Sequence, residues 1–417
     1  MEPLFFLSEE EVLHIQEYYG TPIFVYDEQS MFKSAQEVLS FPHAFGFTAR
    51  FAMKALPTRK ILQKFHKWGL HIDASSEYEA ERALRAGIPP QHIQITAQQL
   101  PINLKMFVEK GVLFNACSLQ QLKIYGEMFP GTEVSVRINP GLGSGSSNRT
   151  NVGGPSSSFG IWHEYLDKVY EVANKYNLKI TGLHTHIGSG SDPEVWVHCA
   201  HLALDTASKM PDVTRLSLGG GYKVARMADE KTANLQEIGK RILPSFYEFE
   251  KKYGRKLHLE IEPGTYLVAL AGSLICSVID VVDTGPSGYR FIKVDSGMTE
   301  NVRPSMYGAL HPLVLVSKHN NASQGEYPYI VSGHCCESGD IFTPQRGDPE
   351  SLEPRMLKEA TIGDALVVEG AGAYCSSQSC KNYNSFPECG EILRKGPFDY
   401  EWIRKFQTLE QMIQNEL

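Results

Sequence analysis

The chain has 417 residues, a length that suits two domains, and its composition is ordinary for a globular protein. The net charge of -8 argues against nucleic acid or an anionic membrane as a partner, because both bind basic surfaces. No apolar run approaches the roughly 20 residues that span a bilayer, and the start MEPLFFLSEEEVL lacks the basic region of a signal peptide. With eight dispersed cysteines, the sequence predicts a cytoplasmic protein with reduced thiols.

The N-terminal segment, residues 1–45, contains a strand-like stretch, TPIFVYDE, that fits a strand of either domain. Residues 46–265 then alternate short β-branched runs with amphipathic helical stretches. The runs are FTARFAMKAL, GLHIDAS, HIQITA, GVLFNACS, EVSVRINPG, KITGLHTHIGS, RLSLGGG and LHLEIEPG. Strands that alternate with helices predict a parallel sheet, and eight units favour a closed (β/α)8 barrel over an open doubly wound sheet.

Residues 266–417 have a different texture, with strand-like segments such as GSLICSVIDVVDTG, RFIKVDSG and YPYIVSG separated by turn signals. This pattern predicts a mostly β C-terminal domain. The last stretch, residues 400–417, is predicted to be a helix that ends the domain.

Polar residues follow the apolar runs at the predicted strand ends, where a barrel enzyme carries its active site. They are Lys54, Asp73, Ser118, Arg137, His186, Gly219, Gly220, Gly221 and Glu262. Lys54 lies among apolar neighbours, where a charged amine is costly unless it extends to solvent or forms a neutralising Schiff base with an aldehyde cofactor. Three consecutive glycines let backbone N–H groups approach a phosphate, although a plain tight turn has the same sequence.

The two histidines of HTHIGSG, His184 and His186, are two residues apart on a predicted strand and therefore face the same way. No acidic or cysteine partner follows at metal-ligand spacing, so we expect no metal and favour an imidazole that packs on a flat cofactor. Glu262 is a carboxylate suited to a pyridine nitrogen. Cys336, in the acidic turn SGHCCESGD, is a candidate proton donor, although a small buried thiol is the ordinary alternative.

Together these motifs resemble the alanine-racemase-like pyridoxal-phosphate enzymes, and specifically the diaminopimelate decarboxylases. The resemblance covers nearly the whole chain. It rests on FAMKAL, HIDASSEYEAERALRAG, VRINPG, HTHIGSG, LGGGY, EIEPG, VDSGMTENVRPSMYG, CCESGD and GAGAY in the family order. It implies a pyridoxal 5'-phosphate-binding barrel, a β domain joined by the N-terminal strand, and a homodimer with shared active sites.

The resemblance also implies residue roles. Lys54 would form the Schiff base, His186 would stack on the ring, Glu262 would pair with the pyridine nitrogen, and Arg137 would lie near the phenolic oxygen. Asp73 belongs to the same cofactor-binding set, and Ser189, Gly221 and Tyr374 would hold the phosphate, with Gly219 and Gly220 completing the loop. Arg303, Tyr307 and Tyr374 would bind the substrate, while Cys336 and Glu337 would come from the partner subunit, the thiol as proton donor and the carboxylate as ligand of the distal amine.

Two positions depart from the family pattern. The family usually has EPGR and YNSRP, where this chain has Thr265 and Phe386. A threonine cannot replace the bidentate contact of an arginine with a carboxylate. The expected activity is α-decarboxylation of meso-2,6-diaminopimelate to L-lysine. The alternatives are the same chemistry on ornithine, lysine or a carboxylated polyamine, an amino-acid racemase, and a cofactor-binding regulatory protein without turnover.

Overall fold

The structure, a computed structural model, describes residues 2–143, 153–186, 188–318 and 325–417. It divides into two compact units. The barrel unit comprises Lys33–Val224 and Lys231–Leu267, and the sheet unit comprises Met1–Phe32, Ala225–Glu230 and Val268–Leu417. Within the described ranges, no helix has both the length and the apolar character needed to cross a membrane. The cytoplasmic location stays a prediction.

Three elements precede the barrel strands: helix α1 (Glu9–Tyr18), strand β1 (Ile23–Asp27) and helix α2 (Glu28–Leu39). Helix α1 begins at a capping box, in which the Ser8 hydroxyl accepts from the Glu11 N–H and the Glu11 carboxylate accepts from the Ser8 N–H. This reciprocal pair satisfies two backbone donors that a helix start leaves without partners.

Parallel strands form the core of the barrel unit. Among the described residues they are β2 (Phe47–Ala52), β3 (His71–Ala74), β4 (Ile93–Ile95), β5 (Leu113–Ala116), β6 (Glu133–Asn139), β7 (Ile161–Trp162), β8 (Lys179–His184), β9 (Arg215–Ser217) and β10 (His258–Ile261). The order β2-β3-β4-β5-β6-β8-β9-β10 closes when β10 pairs with β2, and β7 extends from β6 outside the ring. The predicted fold class, a (β/α)8 barrel with a mostly β second domain, is confirmed.

Helices follow the barrel strands, and the last of these helices leads into the sheet unit. They are α3 (Arg59–Lys67), α4 (Glu77–Arg85), α5 (Leu104–Glu109), α6 (Leu119–Met128), α7 (Leu166–Lys175), α8 (Pro193–Ser208), α9 (Leu235–Tyr253) and the short α10 (Thr265–Val268). Ser76 and Ser118 cap the starts of α4 and α6 by accepting a backbone N–H. The strand-end Ser118 therefore has a structural role, as the cap of a helix.

The sheet unit is built on a branched sheet. Its elements are β11 (Gly272–Asp283), β12 (Arg290–Val294), α11 (Arg303–Tyr307), β13 (Leu313–Val316), β14 (Glu326–Ser332), β15 (Pro344–Gln345), β16 (Asp348–Leu352), β17 (Arg355–Lys358), β18 (Ala365–Val368), β19 (Gly390–Gly396), β20 (Asp399–Arg404) and α12 (Leu409–Ile413). The long strand β11 pairs with β1, β12 and β18. Strand β1 also pairs with β19, so the N-terminal strand lies inside this sheet.

Two details differ from the sequence predictions. Residues 33–45 belong to the barrel unit and Ala225–Glu230 to the sheet unit, whereas the predicted boundaries were residues 45 and 265. The predicted helix over residues 400–417 is wrong for its first part, because Asp399–Arg404 is a strand paired with β19 and only Leu409–Ile413 is helical. Tyr400 and Trp402 alternate with charged residues in DYEWIR, a period of two that is typical of a strand.

Candidate active site

Polar side chains gather at the carboxyl ends of the barrel strands. Strand register places Arg137 beside His184 and His184 beside Ser217 on neighbouring strands. Asp73 lies near the end of β3, and Glu262 directly follows β10. The predicted strand-end residues of the barrel are therefore brought to one end of the ring, where barrel enzymes carry out their chemistry.

Glu262 is the centre of a buried hydrogen-bond network. One carboxylate oxygen, Oε2, lies 2.8 Å from His184 Nε2, and the other, Oε1, accepts a 3.0 Å hydrogen bond from the Ser217 hydroxyl. Burial alone would raise the pKa of Glu262, but the nearby His184 and the hydrogen bonds from His184 and Ser217 outweigh it and hold that pKa below its ordinary value. The carboxylate is thus kept ionised inside the protein.

Lys54 lies in the one-turn 3-10 helix Met53–Ala55 that follows β2. Met53 and Ala55 are buried, whereas the Lys54 side chain is exposed, so the apolar setting inferred from its neighbours is wrong for the amine itself. Burial, followed by the charge of Glu262, raises the pKa of Asp73 well above its usual range, and the Lys54 ammonium opposes this rise. Lys54 therefore lies within electrostatic reach of the strand-end carboxyls.

Arg137 and His186 carry buried nitrogen atoms that have no hydrogen-bond partner. They are Nη2 of Arg137 and Nδ1 of His186. Desolvation, followed by the positive charges of Arg137 and Lys54, lowers the pKa of His186 well below its ordinary value, so its imidazole is neutral. Buried polar atoms normally have partners, and their lack of one at this end of the barrel indicates a site for a polar ligand.

The glycine loop Gly219–Gly221 runs against the loop that follows β8. The Gly190 N–H donates to the Gly221 carbonyl at 2.9 Å, and a Cβ atom at Gly221, where φ is +99°, would lie 1.7 Å from the Gly188 carbonyl oxygen. A Cβ at Gly220 would meet the Glu262 carbonyl at 2.2 Å. Only glycine fits this close approach of two backbone segments, a feature of loops that bind phosphate. The Gly219 N–H donates to Ser217 Oγ at 3.1 Å, so Gly220 and Gly221 are the residues of this loop whose N–H groups could bind an anion.

In the sheet unit, Cys336 and Glu337 occupy an exposed turn. The Cys336 N–H donates to Asn384 Oδ1 at 2.7 Å, and the Tyr383 hydroxyl donates to Glu337 Oε2 at 3.3 Å. At the base of this turn, the buried Asp340 accepts from the Cys335 N–H at 2.9 Å. The thiol and the carboxylate are therefore held in place while both face outward.

A second group in the sheet unit contains Arg303, Tyr307 and Tyr374. Arg303 begins α11 and has a buried Nε without a hydrogen-bond partner. Tyr307 ends the same helix, and its hydroxyl accepts a 2.9 Å hydrogen bond from Gln378 Nε2. Tyr374 has a left-handed backbone with φ of +58°. Positive φ is uncommon outside glycine and is often found at functional sites.

Comparisons with known proteins agree with this geometry. Residues 30–269 match the family model described as "Pyridoxal-dependent decarboxylase, pyridoxal binding domain". The chain is 34% identical to the diaminopimelate decarboxylase of Escherichia coli, over 99% of this chain and 97% of the relative. The Streptomyces coelicolor diaminopimelate decarboxylase is also 34% identical, over 96% and 90%. A crystal structure of diaminopimelate decarboxylase superposes with a TM-score of 0.92 at 33% identity, over 99% of this chain and 97% of that one.

The chain belongs to the diaminopimelate decarboxylase family. It is a carboxy-lyase that depends on pyridoxal 5'-phosphate. The residues at the barrel end fit this cofactor. Buried atoms of Asp73, Arg137, His184 and His186 have no hydrogen-bond partner at the barrel end that carries the ionised Glu262, and the glycine loop there has the close backbone approach of phosphate-binding loops.

Two contributors escaped the sequence reasoning. His184 was seen only as the strand neighbour of His186, yet it is the residue that holds Glu262, and Ser217 was not singled out at all. Each lies two residues before a predicted site residue, His184 before His186 and Ser217 before Gly219, and this spacing is the signal that the sequence offers. At the departures from the family pattern, Phe386 stacks on His334 with ring centroids 3.6 Å apart. Thr265 begins α10, after a turn in which a Cβ at Gly264 would lie 3.3 Å from Ala52 Cβ.

Proposed function

We propose that this protein removes one α-carboxylate of meso-2,6-diaminopimelate and returns a proton to the same carbon, giving L-lysine and CO2, the last step of lysine biosynthesis. The observation that carries the reaction class is the ionised, buried Glu262 at the barrel end. The identity of the substrate is inferred from the relatives named diaminopimelate decarboxylase, which match over nearly their full length.

The cofactor-binding roles follow from chemistry and position. Lys54 Nζ would hold the cofactor covalently, with Asp73 beside it, and the neutral His186 would pack against the ring. Arg137 would donate to the phenolic oxygen. The phosphate would be bound by Ser189, Tyr374 and the N–H groups of Gly220 and Gly221, while Gly219, whose N–H donates to Ser217 Oγ, would shape the loop.

Bound pyridoxal phosphate supplies a protonated pyridine ring that accepts the electron pair left when CO2 departs. Glu262 would hold the proton on the ring nitrogen, because its carboxylate stays negative at this buried position. His184 and Ser217 orient that carboxylate through their hydrogen bonds. An arginine at this position, by contrast, would leave the nitrogen without its proton and favour racemisation.

The sheet unit would supply the substrate contacts and the returning proton. Arg303 and Tyr307 would bind a substrate carboxylate, Glu337 the distal ammonium group, and Cys336 would protonate the α-carbon. We propose that Cys336 and Glu337 act in the site of a partner subunit within a homodimer. Their exposure on a turn that is itself firmly hydrogen-bonded supports this role.

Thr265 and Phe386 favour a second candidate, the same decarboxylation on ornithine, lysine or a carboxylated polyamine, because two of the family's arginines are missing. The test is product analysis. The holoenzyme incubated with meso-diaminopimelate is expected to release CO2 and L-lysine in equal amounts. Absence of L-lysine from this reaction, with CO2 released from ornithine, lysine or a carboxylated polyamine, would support the second candidate instead.

A further inference from the structure

Arg226 is a buried guanidinium that none of the roles above uses. It lies in Ala225–Glu230, the short segment that belongs to the sheet unit. Its Nε donates to the Gly370 carbonyl at 2.9 Å, and its Cγ would lie 3.1 Å from a Cβ at Gly370. The carboxylate of Glu230 accepts the backbone N–H groups of Arg226 and Met227 at 2.9 and 3.3 Å. Both the backbone and the side chain of Arg226 are therefore held in place.

Another nitrogen of this guanidinium, Nη2, has no hydrogen-bond partner among the described residues. Arg226 Nη2 is buried and unpaired, and so is Nε of Arg303. His311 is anchored beside them, with its Nδ1 donating to the Glu369 carbonyl at 2.9 Å, one residue before the carbonyl that holds Arg226. Burial, and next the charge of Arg303, lower the pKa of Arg226 to about 9. Two neighbouring half-buried cations, each with a buried nitrogen that has no hydrogen-bond partner, form a site for an anion.

The kind of anion is indicated by an arginine of the family pattern that this chain lacks. The resemblance expects an arginine at position 265, where this chain has Thr265. We infer that Arg226 determines specificity by binding, together with Arg303, the carboxylate at the far end of the substrate. The inference rests on the proposed function and sharpens it, because it restricts the substrate to amino acids with a second carboxylate. A planar guanidinium binds a carboxylate through two parallel hydrogen bonds, which a lysine cannot reproduce.

The test compares ligands that differ in one carboxylate. Pimelate, a seven-carbon dicarboxylate, and heptanoate, its monocarboxylate counterpart, are titrated calorimetrically into holoenzyme of wild type, Arg226→Gln and Arg226→Lys. The matched control is Arg346→Gln, which removes an exposed arginine that contacts the same segment through Asp229 at 2.8 Å. Kinetics with meso-diaminopimelate and the affinity of the apoenzyme for pyridoxal phosphate are measured on the same proteins.

Arg226→Gln is expected to weaken pimelate binding and raise KM for meso-diaminopimelate by roughly 10- to 150-fold with little change in kcat, since a lost hydrogen bond to a charged group has this effect. Arg226→Lys should restore only part of the loss, and Arg346→Gln should behave as wild type.

If Arg226→Gln instead weakens the binding of pyridoxal phosphate tenfold and leaves the affinity for pimelate unchanged, the anion is the cofactor phosphate and the inference is wrong. Equal wild-type affinity for pimelate and heptanoate would also overturn it. Loss of pimelate binding in a protein that does not turn over diaminopimelate would keep the inference and reject the proposed function.

Discussion

The end of the barrel and the Cys335–Asp340 turn differ in how far their functional side chains are exposed to solvent. At the barrel end, Glu262 and His184 are buried and bonded to each other within one chain. On the turn, Cys336 and Glu337 are exposed, and hydrogen bonds hold the Cys336 backbone N–H and both carboxylate oxygens of Glu337. A group that must hold a charge is insulated from water, whereas a group that must meet a substrate stays accessible.

The largest effect is expected from Lys54→Ala. Without the amine, the cofactor has no covalent attachment, so both turnover and the visible absorbance of the bound cofactor should be lost. Lys67→Ala, which removes an exposed lysine from the end of α3, should keep both. Full activity in Lys54→Ala, with a lysine–cofactor adduct still trapped by borohydride, would show that another lysine holds the cofactor.

Mixing two inactive variants tests whether the turn serves a partner subunit. Lys54→Ala and Cys336→Ala homodimers should each be inactive, and random exchange should give mixed dimers in which one of the two sites is intact. Recovery of up to about a quarter of the wild-type sites is therefore expected for head-to-tail pairing. Absence of recovery after subunit exchange has been shown by mass spectrometry would contradict a shared site.

The hydrogen bond between Glu262 and His184 can be removed by substitution of either residue. Glu262→Gln is expected to lower kcat by about 10²- to 10³-fold, as for loss of one preorganised electrostatic group. His184→Gln should lower it by roughly tenfold, since the carboxylate remains but loses one strong hydrogen bond. Because His184 lowers the pKa of Glu262, its removal should also move the acid limb of the pH–kcat profile to higher pH. His201→Gln, at an exposed histidine bonded to Ser245, is the matched control and should leave the profile unchanged.

Thr265→Arg tests the missing family arginine. If Arg303 and Arg226 already bind the distal carboxylate, the new arginine should lower KM for meso-diaminopimelate by less than about tenfold and leave kcat much the same, the pattern of added uniform binding. The same change should recover part of the KM that Arg226→Gln loses. Impaired turnover of diaminopimelate in Thr265→Arg would indicate a pocket built for another amine.

The smallest effect concerns the amino end of the barrel, away from the chemistry. His71 begins β3, its ring stacks on His92 at 4.0 Å, and burial, followed by the charge of Arg50, lowers its pKa to about 4. The unfolded state therefore binds the proton first as the pH falls, so the free energy of unfolding should fall between pH 6.5 and 4. Allowing for partial exposure, His71→Phe should reduce the loss between pH 7 and 5 by roughly 1 kcal/mol, measured by urea unfolding, whereas His201→Gln should not.

Much of the fold was readable from the sequence, because each barrel strand is short, apolar and followed by an amphipathic helix. All eight predicted runs coincide with strands of the closed ring. The predicted terminal helix is too long, because Tyr400 and Trp402 alternate with charged residues at the period of a strand. The strand-end positions of the candidate site could also be read from the sequence, since a polar residue directly after an apolar run is unusual.

Contacts between residues that are far apart in the chain could not be predicted from the sequence. His184 and Glu262 are 78 residues apart, and their contact depends on the closure of the ring. Arg226 and Gly370 are 144 residues apart. Arg226 lies in a loop whose sequence has no periodicity from which its position could be predicted. The exposure of Lys54 depends on a local turn rather than on the strand that its neighbours suggested. The residue roles taken from the family resemblance stay predictions until variants are measured.

The most direct test of the central claim is kcat/KM of the wild-type enzyme for meso-diaminopimelate, L-lysine, L-ornithine and L-arginine, measured by CO2 release under one set of conditions. The account predicts that diaminopimelate, the substrate with a second carboxylate, exceeds the other three by at least about tenfold, the effect of one lost charged hydrogen bond. A preference of about tenfold or more for any of the other three would contradict the diaminopimelate assignment and leave only the decarboxylase class.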